Sequence, residues 1–128
     1  MLDLTVAYTK DRVQFGRPIG SFQALKHRMA DMMVEVETAK TGAYYAACVV
    51  YEESDELAEA AAIAASYSAD AFMGCAGNAI QLHGGIGFTW EHDAHLFFKR
   101  ARANAVLLGD PTSQRVRIAD MIGLEKVA

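Results

Sequence analysis

Apolar side chains recur along this chain at spacings of three and four, and the runs they form are too long for strands. Leu2, Val6 and Tyr8 lead into Arg12, Phe15 and Ile19, a first helical segment. It ends at Gly16-Arg17-Pro18-Ile19-Gly20, because Pro18 has no N–H and cannot continue a helix. The pattern is already running at Met1 with no N-cap before it, which predicts that upstream sequence is absent. Ser21 is placed to N-cap a second helix over residues 21–52. Its stripe of Phe22, Leu25, Met29, Met32, Val36, Ala39, Ala43, Ala47 and Val50 suits a bundle helix roughly 45 Å long.

Glu52-Glu53-Ser54-Asp55 marks a turn, and Ser54 or Asp55 can cap a third helix with Glu56 in its first turn. The inward positions predicted for that helix are Leu57, Ala60, Ala64, Tyr67, Ala71, Gly74 and Asn78. Most are small and permit close helix approach at the centre of the bundle or at a subunit contact. Three glycines then interrupt the pattern in Gln81-Leu82-His83-Gly84-Gly85-Ile86-Gly87-Phe88. Thr89 is the expected cap of a fourth helix, with Glu91 and Asp93 in its first turn and Lys99, Arg100 and Arg102 toward its end. Trp90, Ala94, Phe97, Phe98, Ala101, Ala105 and Leu108 form its apolar face, and Gly109 and Pro111 stop it. Thr112 opens a fifth helix that runs through Met121 to Gly123. No segment alternates with a period of two. The predicted fold is therefore all-α: an antiparallel four-helix bundle with a short additional C-terminal helix, occupying residues 1–123, and a loose tail over 124–128.

Composition narrows the class. A chain of 128 residues, 52% apolar and 22% charged, buries a real core. With 12 basic against 16 acidic residues and a net charge of −4, no nucleic-acid surface is expected. The most apolar window, residues 57–82, carries Glu59, Asp70, Asn78 and Gln81, so it reads as a helix buried in protein and no membrane is implied. Cys48 and Cys75 stand apart inside helical patterns and read as buried reduced thiols of a cytoplasmic protein.

The glycine break admits two readings. One is a helix C-cap followed by a turn; the other is a flat ligand lying on bare backbone, with Gln81 and His83 beside it. It is no dinucleotide fingerprint, since that motif follows a strand and here a helix precedes it. His92 and His95 share a helical face but lack a further fixed ligand, so no metal is assigned. Arg12 and Arg17 flank Gln14-Phe15-Gly16, where a guanidinium can meet a pyrophosphate while an aromatic covers a ring. No Ser/His/Asp or Cys/His nucleophile arrangement stands out.

Two motifs in this order, Arg12-Val13-Gln14-Phe15-Gly16-Arg17-Pro18-Ile19 with Phe22-Gln23, then Gln81-Leu82-His83-Gly84-Gly85-Ile86-Gly87, resemble the C-terminal helical domain of FAD-dependent acyl-CoA dehydrogenases. The resemblance covers nearly the whole chain and favours the ligand reading of the glycine break. It implies a flavoenzyme that removes an α-proton from an acyl-CoA substrate while a β-hydride passes to FAD, giving the trans-2-enoyl-CoA of fatty acid β-oxidation. Electrons then go to an electron-transfer flavoprotein. Cofactor-binding roles are implied for Arg12, Gln14, Phe15 and Gln23 near the pyrophosphate, and for Gln81, Leu82, His83, Gly84 and Gly85 along the adenosine. The assembly implied is a homo-oligomer, dimer or tetramer, or a hetero-oligomer with a related chain.

The catalytic glutamate of many members aligns with Leu108, which accepts no proton. Allowing two extra residues puts Asp110 there, and other members carry the base on the preceding helix, here upstream of Met1. The fragment alone is then expected to be inactive. The alternatives are a non-catalytic structural subunit, or a helical interaction domain without its own turnover.

Overall fold

The computed structural model describes residues 1–107 and 110–124. Among these, five α-helices carry the architecture: α1 (Leu2–Asp11), α2 (Gln23–Tyr51), α3 (Leu57–His83), α4 (Ala94–Leu107) and α5 (Pro111–Met121). The fold is all-α as expected, and α3 sits at its centre with α1, α2, α4 and α5 packed around it. Its small side chains explain the position: Ala60, Ala62, Ala71, Ala76 and Ala79 are buried and let neighbours approach. A Cβ added at Gly42 of α2 would lie 3.9 Å from the Ala64 Cα of α3. The principal core cluster joins Met32 to Cys75, Ala79 and Leu82 of α3, with Leu2, Leu25, Met29 and Val36 packed against it.

Several predicted details are corrected. The first helix ends at Asp11, earlier than the Pro18 argument required. Val13–Gln14 (β1) pairs antiparallel with Arg17–Pro18 (β2), a two-residue hairpin that the absence of alternation had hidden. Phe15 and Gly16 turn it with φ of 53° and 75°, the doubly positive geometry of a tight hairpin. For Phe15 that backbone costs on the order of 1 kcal/mol. The buried face of α1 is Thr5 and Thr9, tolerated because each hydroxyl donates to a carbonyl one turn back, Met1 and Val6, at 3.0 Å.

Ser21 does not cap α2. It closes a 3-10 turn (Ile19–Ser21), donates to the Pro18 carbonyl at 2.7 Å, and leaves Phe22 at the cap position. The inward stripe of α2 continues through Gly42, Ala46 and buried Val49, while Ala43, Ala47 and Val50 face outward. The two part after Ala39, where the helix advances by three to Gly42 and the predicted stripe advances by four to Ala43. Ser54 accepts the Glu56 N–H at 3.3 Å, and α3 begins at Leu57 with Glu56 as its N-cap. Leu57 and Tyr67 are exposed rather than inward. Cys75 is buried as expected but Cys48 is exposed. Thr89 donates to the Ile86 carbonyl instead of capping α4, which starts later, at Ala94, where the His92 ring accepts the Ala94 N–H. Leu108, Gly109 and residues 125–128 of the expected tail lie outside the described residues.

Met32 is fully buried against Cys75, Ala79 and Leu82. Met32→Ala is expected to lower unfolding free energy by about 3 kcal/mol in urea titrations, from lost burial plus the cavity left. Val34→Ala, on the exposed side of the same helix, is expected to shift it by less than about 0.5 kcal/mol.

Candidate functional site

The end of α3 organises the site. Gly84 closes the helix with φ 64° and ψ −142°, a backbone that L side chains avoid. A 3-10 turn (Gly84–Phe88) follows. Gly87 is buried there, and a Cβ on it would lie 2.8 Å from the Ile80 carbonyl oxygen, so this glycine answers to packing within the chain. Gly85 differs. A Cβ on it would meet nothing within 4 Å, and both Gly84 and Gly85 are exposed, so no neighbour among the described residues requires Gly85 to lack a side chain.

Beneath the turn, Leu82 and His83 face inward. Leu82 belongs to the core cluster, and His83 is 3% exposed. The His83 ring stacks on Tyr8 of α1 at 4.4 Å between centroids and lies 4.2 Å from the His92 ring. The Tyr8 hydroxyl donates to the His83 carbonyl at 3.2 Å. His83 Nδ1 sits 2.6 Å from the Ala79 carbonyl, which can only accept, so Nδ1 carries the proton. Nε2 is then a bare lone pair, buried and without a partner among the described residues. Burial pushes the His83 pKa below its ordinary 6.5; the Ala79 carbonyl raises it and nearby His92 lowers it further.

The arginine hairpin leaves from the same joint. The Arg12 N–H donates to the Tyr8 carbonyl at 2.9 Å, so Arg12 stands one helical turn beyond the Tyr8 contact with His83. Arg12, Gln14 and Phe15 are exposed, Phe15 by 92%. The Phe15 ring meets Phe22 edge-on at 6.1 Å, and Arg17 stacks 4.1 Å over Phe22, which stiffens the hairpin base. Gly20 lies so close to α1 that a Cβ there would fall 2.9 Å from the Thr9 carbonyl. Gln23 is exposed in the first turn of α2. The structure thus presents Arg12, Gln14, Phe15, Gln23, Gln81, Gly84 and Gly85 to solvent and turns the side chains of Leu82 and His83 into the support.

Sequence reasoning missed Tyr8, His92 and the packing role of Gly87. Tyr8 stands four residues before Arg12, but its partner lies 75 residues away, a pairing that no local spacing reveals. Asp110 was a candidate base. Its exposed carboxylate accepts the Ser113 N–H at 3.3 Å as the N-cap of α5, with Pro111 following. His92 and His95 are both engaged, His95 Nδ1 donating to the His92 carbonyl at 2.8 Å. Among the described residues, no three His, Cys, Asp or Glu side chains gather as a cation site, and no helix is long and apolar enough to cross a membrane.

The fold recurs in flavoprotein dehydrogenases. One chain of the ChsE4-ChsE5 complex from Mycobacterium tuberculosis superposes with a TM-score of 0.90 at 33% identity, over 98% of this chain and 34% of that one. Butyryl-CoA dehydrogenase from Megasphaera elsdenii superposes at 0.89 and 30% identity, over 94% and 31%. The acyl-CoA dehydrogenase IpdE2 of Mycolicibacterium smegmatis is 52% identical over 118 residues, 91% of this chain and 36% of its own. The sequence profile of the acyl-CoA dehydrogenase C-terminal domain matches residues 1–123, and the chain belongs to this family of FAD-dependent oxidoreductases. It spans about a third of the length of the curated relatives it matches.

Because native His83 resists protonation while the unfolded residue titrates near 6.5, the unfolded state binds more protons below neutral pH. The stabilising effect is fully present above pH 6.5 and is lost as pH falls below it. The urea midpoint is expected to drop from pH 7 to pH 5. His83→Phe, which keeps a ring under Tyr8 and cannot titrate, is expected to flatten that dependence.

Proposed function

We propose that this chain supplies part of the FAD adenosine and pyrophosphate site, and much of the association surface, of an acyl-CoA dehydrogenase that forms trans-2-enoyl-CoA. Gly85 carries the reading: a solvent-facing glycine whose missing side chain answers to nothing among the described residues, next to Gly84 and the exposed amide of Gln81. The residues present suit the cofactor. Arg12 offers a guanidinium to a phosphate, Gln14 and Gln23 offer amides, and Phe15 offers a ring face. Leu82 and His83 act indirectly, by fixing the turn from below. FAD, when bound, supplies the hydride acceptor; the residues here bind and orient it.

The reaction's wider setting follows the same reading: an acyl-CoA substrate as in β-oxidation, transfer of electrons to an electron-transfer flavoprotein, and a cytoplasmic homo-oligomer. Asp110 supports a second assembly. Its carboxylate serves as the cap of α5, which favours an assembly in which the base comes from outside these residues and the chain works beside a related chain that carries it. The ChsE4-ChsE5 complex, named as a pair of chains, is a precedent for such an arrangement.

In the assembled dehydrogenase, Gly85→Val is expected to leave the melting temperature of the FAD-free protein nearly unchanged and to weaken FAD retention about tenfold or more, equivalent to about 1.4 kcal/mol. Ala103→Val, at an exposed position of α4, is the control. Unaltered flavin retention in Gly85→Val contradicts the assignment. Asp110→Asn keeps a cap and removes the carboxylate. It is expected to preserve turnover, whereas a loss of about a thousandfold identifies Asp110 as the base.

A further inference from the structure

Three of the four histidines of this chain bracket the glycine turn, and each holds a hydrogen bond that specifies where its proton sits. His83 donates from Nδ1 to the Ala79 carbonyl. His92 does the reverse: its Nδ1 accepts the Ala94 N–H at 3.1 Å, so that atom must be a bare lone pair. His95 donates from Nδ1 to the His92 carbonyl at 2.8 Å.

A second proton has no place on any of these rings. On His83 and His95 it would go to Nε2, and both atoms are buried without a partner among the described residues. The new N–H would face no acceptor there, and the charge would lie out of water. On His92 it would go to Nδ1, setting one N–H against another and removing the cap of α4. The sites are also linked. The His83 and His92 ring centroids are 4.2 Å apart, and His95 holds the His92 carbonyl, so displacing one ring loosens the next.

The other titratable and charged groups around the cluster do not offset this. Tyr8 of α1 stacks on His83 and meets His92 edge-on, with its hydroxyl engaged by the His83 carbonyl. Asp11 and Arg12, a turn further along the chain, are exposed. Residues 76–88, the end of α3 and the glycine turn, contain no titratable side chain besides His83. Lys99 of α4 rests over Trp90, whose ring lies 4.7 Å from His95, and adds positive charge. Glu91 and Asp93 flank His92 in sequence but are exposed, where water screens them. Seven of the ten residues 84–93 are exposed, so the segment has few buried contacts to hold it once the rings let go.

We propose that His83, His92 and His95 form a proton-operated clasp: neutral, they hold residues 84–95 against α1 and α3, and on taking up protons they release that segment while the rest of the bundle stays folded. Released imidazoles titrate near the ordinary value of about 6.5, so the open form binds more protons than the closed one below that pH. Opening is therefore favoured as pH falls. The surface around Gly84 and Gly85 becomes proton-dependent; only the consequence for FAD rests on the reading given under Proposed function.

Site-resolved hydrogen exchange on the assembled dehydrogenase stripped of FAD, corrected for intrinsic rates, reads the opening at the Thr89 and Ala94 amides, which donate to Ile86 and His92. One proton changes such an equilibrium by at most about tenfold per pH unit. The clasp is expected to exceed that between pH 6 and pH 5, while amides near Met32 and Ala71 keep their protection. His83→Phe, His95→Phe and His92→Asn, whose side chain still offers Ala94 an acceptor, are each expected to make the dependence shallower. His27→Asn, at an exposed position of α2, is expected to leave it unchanged. A slope of tenfold or less in the unsubstituted protein overturns the proposal. So does an unchanged slope in any of the three clasp variants, or equal loss of protection near Met32 and Ala71. FAD affinity is expected to weaken over the same pH range. If the segment opens as described and FAD affinity stays constant, the clasp stands and the placement of FAD at this turn falls. If Gly85→Val loses FAD but the two amides show no steep dependence, the clasp falls and the earlier reading stands.

Discussion

The hydroxyl of Tyr8, donating to the carbonyl of His83, joins the first helix to the last turn of the central one, and the exposed elements at this end of the molecule depend on that joint. Above it α3 stops, because Gly84 adopts a backbone that other residues avoid. One helical turn beyond it along α1 stands Arg12, where the hairpin begins. The Tyr8 ring stacks on His83, and the His92 ring lies tilted against His83 and edge-on to Tyr8. An ionised imidazole there would lie buried beside a second histidine, which is why His83 is held neutral.

The glycine motif therefore divides its work. Leu82, His83 and Gly87 are structural: Leu82 fills the core, His83 supports the turn, and Gly87 lets the chain pass within van der Waals reach of the Ile80 carbonyl. Gly84, Gly85 and Gln81 are left facing outward. On the reading proposed for this turn, a surface of bare backbone has to keep its shape, and the inward half of the motif supports it from below. A similar economy governs Asp110, whose carboxylate begins α5.

Much of this was legible in the sequence, for physical reasons. Helix existence followed from the 3.6-residue pattern, and the small side chains of α3 pointed to the centre of the bundle or a subunit contact, of which the fold shows the first. The two motifs identified the family. Boundaries were less legible, because side chains that can cap did other things. Ser21 and Thr89 donate to carbonyls three residues earlier, and an unforeseen histidine, His92, caps α4. The hairpin at Phe15 was hidden because each of its strands has two residues, too few to alternate. Buried Thr5 and Thr9 broke the rule that inward means apolar, since local carbonyls satisfy them. Tyr8 with His83 was invisible because only folding brings residues 75 apart together.

The central claim is that the hairpin at Arg12 and the turn at Gly84, mounted on one joint, form a single cofactor-bearing surface. Amide hydrogen exchange, measured on this chain within the assembled flavoprotein with FAD present and after FAD is stripped, tests it most directly. The account predicts slower exchange with FAD at residues 12–17 and 84–87 and no change along α5. Identical exchange of those two segments in both states would contradict it.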